Sequence, residues 1–507
     1  MAEEHPDGAA RRRREYWIAA AAVIAAVLVR SAVFVFWEQA HYDSDQAIVG
    51  LMAKHLVEGR AFPVFYYGQN YMLGVDAYLA APFFLLAGPS VITLKLPLLL
   101  INIGVALVLL RMFVVDAGLR PYLALLPVMF FAVPAPVVAA TLVAPNGGNL
   151  APFMYAALIW LTRRRPVWCG LFAGIGFLHR EFTIYAVLAL FAIEAIDGTL
   201  WTREGVRRRL GMLRTAAEVW LVVHILKSYS SAAGPGTTLA DLYTSGESVL
   251  AFASRFCTDP AMVPRGLSRL FTDHYPYLLG TQPMPLTDGG IETAMTQGFP
   301  GAWIVFLLTV IVAAGGVAAA LLRERRWHAQ YNPCAYLVVI GVLSQAGYIV
   351  GRCGGLHFYT LRYDLLSLLA ISGLGAWFLQ TTTMPRLRQG WLAIAAVACL
   401  ITLVPTLRLL HEYLRHEPDN PKRMIIRHLE VRGIKYAVSD YWRSYSLTFM
   451  ANERIVIASE EIQRIREYAT EVQAHKAETV RIAREYCPGG SMAMPRVWIC
   501  PYQTPAP

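Results

Sequence analysis

Charge is scarce in this sequence: of 507 residues, 16% are charged and 56% hydrophobic. That leaves too little polar surface to cover a water-soluble globule of this length. The seven cysteines include no CxxC pair, which speaks against the common zinc frameworks. No Gly-rich phosphate loop follows either β-branched run of the C-terminal segment, which speaks against a nucleotide cradle there. No internal repeat of spans is evident, unlike the duplicated architectures of transporters and flippases, the rival class for a chain with many spans. The net charge of +10 does not mark a nucleic-acid partner, because the arginines fall in short clusters between apolar runs, where membrane orientation accounts for them.

What is present is a series of apolar runs. With about 20 residues needed per crossing, spans are predicted at 16–37, 90–113, 119–138, 149–163, 166–179, 182–197, 212–229, 300–322, 331–351, 363–380 and 391–409. The first follows the basic tetrad Arg11 to Arg14 and lacks a small-residue cleavage site, so it reads as a signal anchor with residues 1–15 in the cytoplasm. About eleven spans then put every strong basic cluster inside: Arg111 and Arg120; Arg163 to Arg165; Arg203, Arg207 to Arg209 and Arg214; Arg323, Arg325 and Arg326; Arg386 and Arg388. The transmembrane domain is 16–410, with loops 38–89 and 230–299 and the segment 411–507 outside.

From Asp45 to Leu56, apolar residues recur at helical spacing opposite Gln46, Lys54, His55 and Glu58, which predicts a helix lying in the membrane interface. "YMLGVDAYLAAPFFLLAG" is too short to span comfortably and is expected to lie along or dip into the outer leaflet. Beyond His411 the pattern is helix, strand ("IKYAVSDY"), helix, strand ("ERIVIASE"), then a long helix through "EIQRIREYATEVQAHKAETVRIAREY", a small α/β domain. Cys487 and Cys500 flank a turn-rich stretch of that outside domain and are expected to pair.

Two carboxylates, Asp43 and Asp45, stand where the first span leaves the membrane. Asp45, Gln46, Ala47, Ala53 and Gly59 form a pattern that resembles the first outside loop of the GT-C glycosyltransferases, protein O-mannosyltransferases and lipid A aminoarabinose transferases in particular. "GIGFLHRE" resembles the Gly-rich helix of that superfamily that ends in an outer basic residue, here Arg180. "FYTLRYDLL" resembles its late Arg-Tyr motif, here Arg362 and Tyr363. Two departures stand out: Gln46 where many relatives have Glu, and Asp364-Leu365 where prolines often follow. "FPVFYYGQNYMLGVDAYLAAPF" and the C-terminal segment look like a bacterial branch of the superfamily. The resemblance implies an α-helical polytopic GT-C-like fold in the bacterial cytoplasmic membrane. It also implies an extracytoplasmic site that takes a sugar from a polyprenyl phosphate and passes it to a glycan, lipid or protein acceptor.

The chemistry needs a base for the acceptor hydroxyl and cations for the departing phosphate. Asp45 is the expected base, with helix capping as the bland alternative. Asp43 is read as a second base, a cation ligand or a solvated carboxylate, and a divalent cation stays open. Arg180 and Arg362 are expected on the phosphate, with interfacial anchoring as their alternative. Tyr363, Asp76, Tyr67, Gln69, Tyr71, His179 and Glu181 complete the candidate substrate wall, while aromatic belts and helix caps give the same residues structural readings. Asp273 and His274 are weaker candidates for acceptor or metal.

Overall fold

The structure, a computed structural model, describes residues 6–69, 72–229, 259–282, 284–288, 291–296, 298–324, 332–352 and 358–502. Its first part is helical: α1 (Pro6–Phe36), α2 (Ser44–Val57), α3 (Val75–Ala87), α4 (Val91–Arg111), α5 (Pro121–Ala132), α6 (Pro136–Leu142), α7 (Ala151–Thr162), α8 (Pro166–His179), α9 (Ile184–Ile196) and α10 (Arg203–Tyr229). After the short helices α11 (Met262–Arg269) and α12 (Tyr275–Leu278) comes a hairpin of β1 (Met284–Asp288) and β2 (Ile291–Thr296). The helices α13 (Trp303–Glu324), α14 (Pro333–Arg352), α15 (Ser367–Thr381) and α16 (Pro385–Arg415) follow.

Among the described residues, five of these helices are long and apolar enough to cross a membrane: α1, α4, α13, α14 and α16. The pair α5 and α6 makes a sixth if its 81° bend is taken as one broken span. The bend falls at Pro134 and Pro136, which remove backbone donors where the helix would continue. Each of the eleven expected spans therefore coincides with a helix or a bent pair, but the expected count is not reached by length. α7 has 12 residues, about 18 Å of helix, because Arg163 to Pro166 interrupt the apolar run. α10 reaches 27 residues but is studded with arginines.

Contacts sort to two ends of this bundle. At one, Trp160 Nε1 donates to Asp116 at 2.7 Å, and Arg163 Nη2 lies 3.8 Å from the same carboxylate. Arg209, expected as a simple orientation charge, is buried there in a forked pair with Glu194 at 2.5 and 2.6 Å. At the other end, α1 and α4 run antiparallel, and Lys95 Nζ donates to the Phe34 and His41 carbonyls at 2.8 and 3.0 Å. That end carries Asp45.

The C-terminal domain contains α17 (Pro421–Val431), β3 (Tyr436–Ser439), α18 (Tyr441–Met450), β4 (Val456–Ser459), α19 (Arg466–Ala474), β5 (Val480–Ala483), β6 (Ser491–Met494) and β7 (Val497–Pro501). Its sheet has the order β4-β3-β5-β7-β6, parallel from β4 to β5 and antiparallel beyond. The two expected strands are β3 and β4. The expected long last helix is a correction: it stops at Ala474, and "VRIA" becomes β5, burying Ile482. Ile482 is buried while Arg481 before it is exposed, a period-2 signal hidden behind a charged helical stretch.

The interfacial placement of the Asp45–Leu56 helix is also corrected. α2 is buried nearly all round, packed on α3 and α18. Its polar residues Lys54 and His55 turn to Glu453 of the C-terminal domain instead of to headgroups or water. Close approach is possible because Gly50 has no side chain: a Cβ there would lie 2.6 Å from the Phe449 ring.

The Cys487–Cys500 disulfide is present, with Cα atoms 5.9 Å apart, and ties the β5–β6 connection to β7. Its reduction is expected to destabilise the domain by about 3 kcal/mol, the loop-closure value for about 14 residues. Thermal unfolding with and without reductant checks this; an unchanged midpoint in protein shown by mass to be fully reduced overturns it.

Candidate active site

α2 begins directly at the site. Asp43 is its N-cap, accepting from Gln46 N at 3.0 Å, so the capping role weighed for Asp45 belongs to its neighbour. Asp45 is left free in the first turn, where the helix N-terminus favours a carboxylate. Tyr441 Oη donates to Asp45 Oδ1 at 2.6 Å, and Tyr66 Oη donates to the Asp45 carbonyl at 3.0 Å. Asp45 Oδ2 faces Arg362 Nη1 at 4.0 Å, with 22% of the Asp45 side chain still exposed. Burial, then the Asp43 charge, push the Asp45 carboxyl above the usual carboxylate range, against the Tyr441 hydrogen bond and the guanidiniums of Arg362 and Arg464.

Arg362 and Arg180, far apart in sequence, line one cleft with Asn149, Phe182 and Tyr363. Arg180 stacks at 5.3 Å on Phe182 and 5.8 Å on Tyr363, and Arg362 lies 5.1 Å from the Tyr363 ring. The Arg362 Nη2 donates to Tyr363 Oη at 3.2 Å. Aromatic faces hold both guanidiniums in place without neutralising them. Gly148 and Asn149 reach the cleft from the turn Asn146-Gly147-Gly148-Asn149, whose two glycines take φ of +83° and +89°, a backbone path that other residues adopt only under strain.

The remaining expected residues stand behind or beside this cleft. Asp76 accepts from Gly148 N at 3.1 Å and lies 3.4 Å from His179 Nε2; both are buried and join α3 to α8. Tyr67 is fully buried, its Oη 3.1 Å from His55 Nδ1. Gln69 N donates to the Tyr66 carbonyl at 3.0 Å, and Glu181 opens the 3₁₀ turn after Arg180. Tyr71 lies outside the described residues. His274 pairs with Asp364 at 3.3 Å, both fully buried, so the departure from the proline pattern at 364 has a structural partner. Among the described residues no group of three or more His, Cys, Asp or Glu side chains is placed to hold a metal ion.

Sequence reading missed Asn149, Tyr441 and Arg464; Tyr66 is expected to stack on sugar or join an aromatic belt, and here its hydroxyl holds the Asp45 carbonyl. Tyr441 lies 396 residues from Asp45 in sequence, and the packing of α18 on α2 brings it over, while Arg464 reaches the same loop through the Gly68 carbonyl.

No family model matches the chain, and no curated protein matches it. Among solved structures, the apo oligosaccharyltransferase of Archaeoglobus fulgidus is 11% identical, with 92% of this chain and 70% of that one covered and a TM-score of 0.46. ArnT of Cupriavidus metallidurans in the apo state is 12% identical, with 92% of each chain covered and a TM-score of 0.40. The same protein bound to undecaprenyl phosphate gives 12% identity, 95% and 97% coverage and a TM-score of 0.40. Independently of these matches, the described residues contain five helices long and apolar enough to cross a membrane, or six with the bent α5–α6 pair, followed by a small C-terminal domain built on a five-stranded sheet.

Proposed function

We propose that this protein is a GT-C-type membrane glycosyltransferase that moves a sugar from a polyprenyl-phosphate carrier to an acceptor hydroxyl, with Asp45 as general base. The observation that carries the reading is the placement of Asp45 Oδ2, on a carboxylate with raised proton affinity, 4.0 Å from Arg362, itself in a cleft with Arg180. Base and phosphate cations are neighbours, as direct displacement requires. Asp45 takes the acceptor proton while the acceptor oxygen bonds to the anomeric carbon. The bond from that carbon to the phosphate oxygen breaks, its electron pair leaves on the phosphate, and Arg362 and Arg180 balance the charge. A single displacement inverts the sugar carbon. The test is incubation of the purified protein with labelled polyprenyl-phosphate sugars, reading transfer or slow hydrolysis. Binding of such lipids with neither outcome overturns the reading.

Arg180→Ala and Arg362→Ala are each expected to weaken polyprenyl-phosphate binding roughly ten- to a hundredfold, the range for a hydrogen bond to a charged group. The Lys variants should lose less, since they keep the charge but not the fork. Equilibrium binding of labelled polyprenyl phosphate reads the difference; unchanged affinity in both Ala variants makes these residues membrane anchors.

A further inference from the structure

The carboxylate of Asp45 has two oxygens with different surroundings. Oδ1 is occupied by the Tyr441 hydroxyl at 2.6 Å, whereas Oδ2 faces Arg362. Tyr441 is the first residue of α18, whose N-cap Asp440 accepts from Arg443 N at 3.2 Å, so its position is set by a capped helix and not by a loop. The Arg464 guanidinium lies 5.9 Å from the Tyr441 ring and 5.8 Å from the Tyr66 ring, and its Nη1 donates to the Gly68 carbonyl at 3.0 Å. A bridge from the C-terminal domain to the first outside loop therefore clasps Asp45. Ser446 N completes it by donating to Ser44 Oγ at 3.3 Å.

We propose that Tyr441 is a positioning residue: by holding Oδ1, it aims Oδ2 of Asp45 at the space in front of Arg362 and makes the C-terminal domain an integral part of the active site. An acceptor oxygen entering between Oδ2 and the donor phosphate finds the lone pair already directed at its proton. Without the clasp, the carboxylate rotates freely about its terminal bond, a broad and weakly restrained torsion. The inference rests on the transferase reading for its rate consequences, but the clasp itself is testable without them. The charged and titratable groups facing Asp45 are Asp43 on its own segment, Arg362 from the turn before α15, Arg464 and Tyr441 from the C-terminal domain, and Tyr66 from the loop after α2.

Tyr441→Phe removes one hydroxyl and keeps the ring against Tyr445 and Trp442. In transfer assays kcat is expected to fall at least about tenfold with the KM for the lipid donor unchanged, because the cations that bind phosphate are untouched. The acid limb of the rate profile should move up by about one pH unit, since a donor to the carboxylate has been lost. Independently of turnover, carbodiimide labelling of Asp45, followed against pH by peptide mass spectrometry, should show the same upward move of its midpoint. Thermal unfolding of the same sample reports folding. A fall in kcat with an unmoved labelling midpoint, or an unmoved midpoint with full activity, overturns the inference. If the wild-type protein transfers no sugar while the midpoint still moves, the transferase reading fails and the clasp stands.

Discussion

Asp45→Asn is expected to lower sugar transfer at least about a hundredfold, the lower range for loss of a positioned base, while folding and donor binding stay near wild type. The carboxamide has the size of the carboxylate, and its oxygen can still accept from Tyr441. No helix cap is removed, because the side chain that caps α2 is Asp43, and the cations of the cleft stay on Arg180 and Arg362. Only the ability to take a proton is lost. Transfer rate, lipid-phosphate affinity and thermal midpoint measured on one preparation separate the outcomes: near-normal transfer removes Asp45 from the chemistry, and parallel loss of rate and stability makes it structural. Asp43→Asn should do less, since asparagine caps about as well as aspartate.

The wild-type rate should also be acid-sensitive in a specified direction. Burial raises the Asp45 carboxyl above the ordinary value of 3.8, so the basic form is lost, and transfer falls, at a pH where an exposed aspartate would remain ionised.

How much of this was legible in the sequence follows from the range over which each signal acts. Apolar runs and arginine clusters act locally, and each expected span lies on a helix or the bent α5–α6 pair. The motifs around Asp45, Arg180 and Arg362 also pointed to residues that meet, with Arg180 and Arg362 in one cleft and Asp45 against Arg362. What could not be read is whatever depends on long-range packing. An amphipathic α2 looks the same whether its polar face meets headgroups or a folded domain. Only the short-range pairing of Lys54 and His55 with Glu453 distinguishes the two. Tyr67 and Asp76 carry the chemistry expected of a sugar site, yet Tyr67 is buried against His55, and Asp76 is buried behind the cleft, holding the amide of Gly148 in its wall. Tyr441 lies in the C-terminal stretch that shares the resemblance, but nothing in that stretch marks it as a site residue.

Glu453→Ala is expected to loosen the C-terminal domain on α2, with a stability loss of about 1–3 kcal/mol, the range for hydrogen bonds to a charged group, because Lys54 and Arg60 keep Glu58 as a second partner. The Glu453 carboxylate accepts from Tyr468 Oη at 2.7 Å, His55 Nε2 lies at 3.1 Å and Arg60 Nη1 at 3.1 Å; Lys54 Nζ is a further direct partner. It is held by a left-handed turn, Asn452 and Glu453 having φ of +54° and +59°, a conformation that persists only where surrounding contacts enforce it. Although its own burial opposes ionisation, the hydrogen bonds and charges of His55 and Lys54 hold its pKa far below the ordinary 4.5. A depressed carboxyl contributes its stability in full above the unfolded value and loses it as pH falls through the window below about 4.5. Domain unfolding in wild type should therefore steepen with acid in that window, and the Ala variant should lack this dependence. The consequence for activity comes from geometry. α2 and α18 lie side by side in the same direction, with Asp45 against Tyr441 at one end, Gly50 against Phe449 between and Lys54 against Glu453 at the other. Releasing the far end frees Tyr441 from Asp45 while Arg180 and Arg362, outside the C-terminal domain, keep their cleft. Transfer should fall with lipid-phosphate binding retained, and full activity together with wild-type acid stability in Glu453→Ala would show that this cluster does not hold the two helices together.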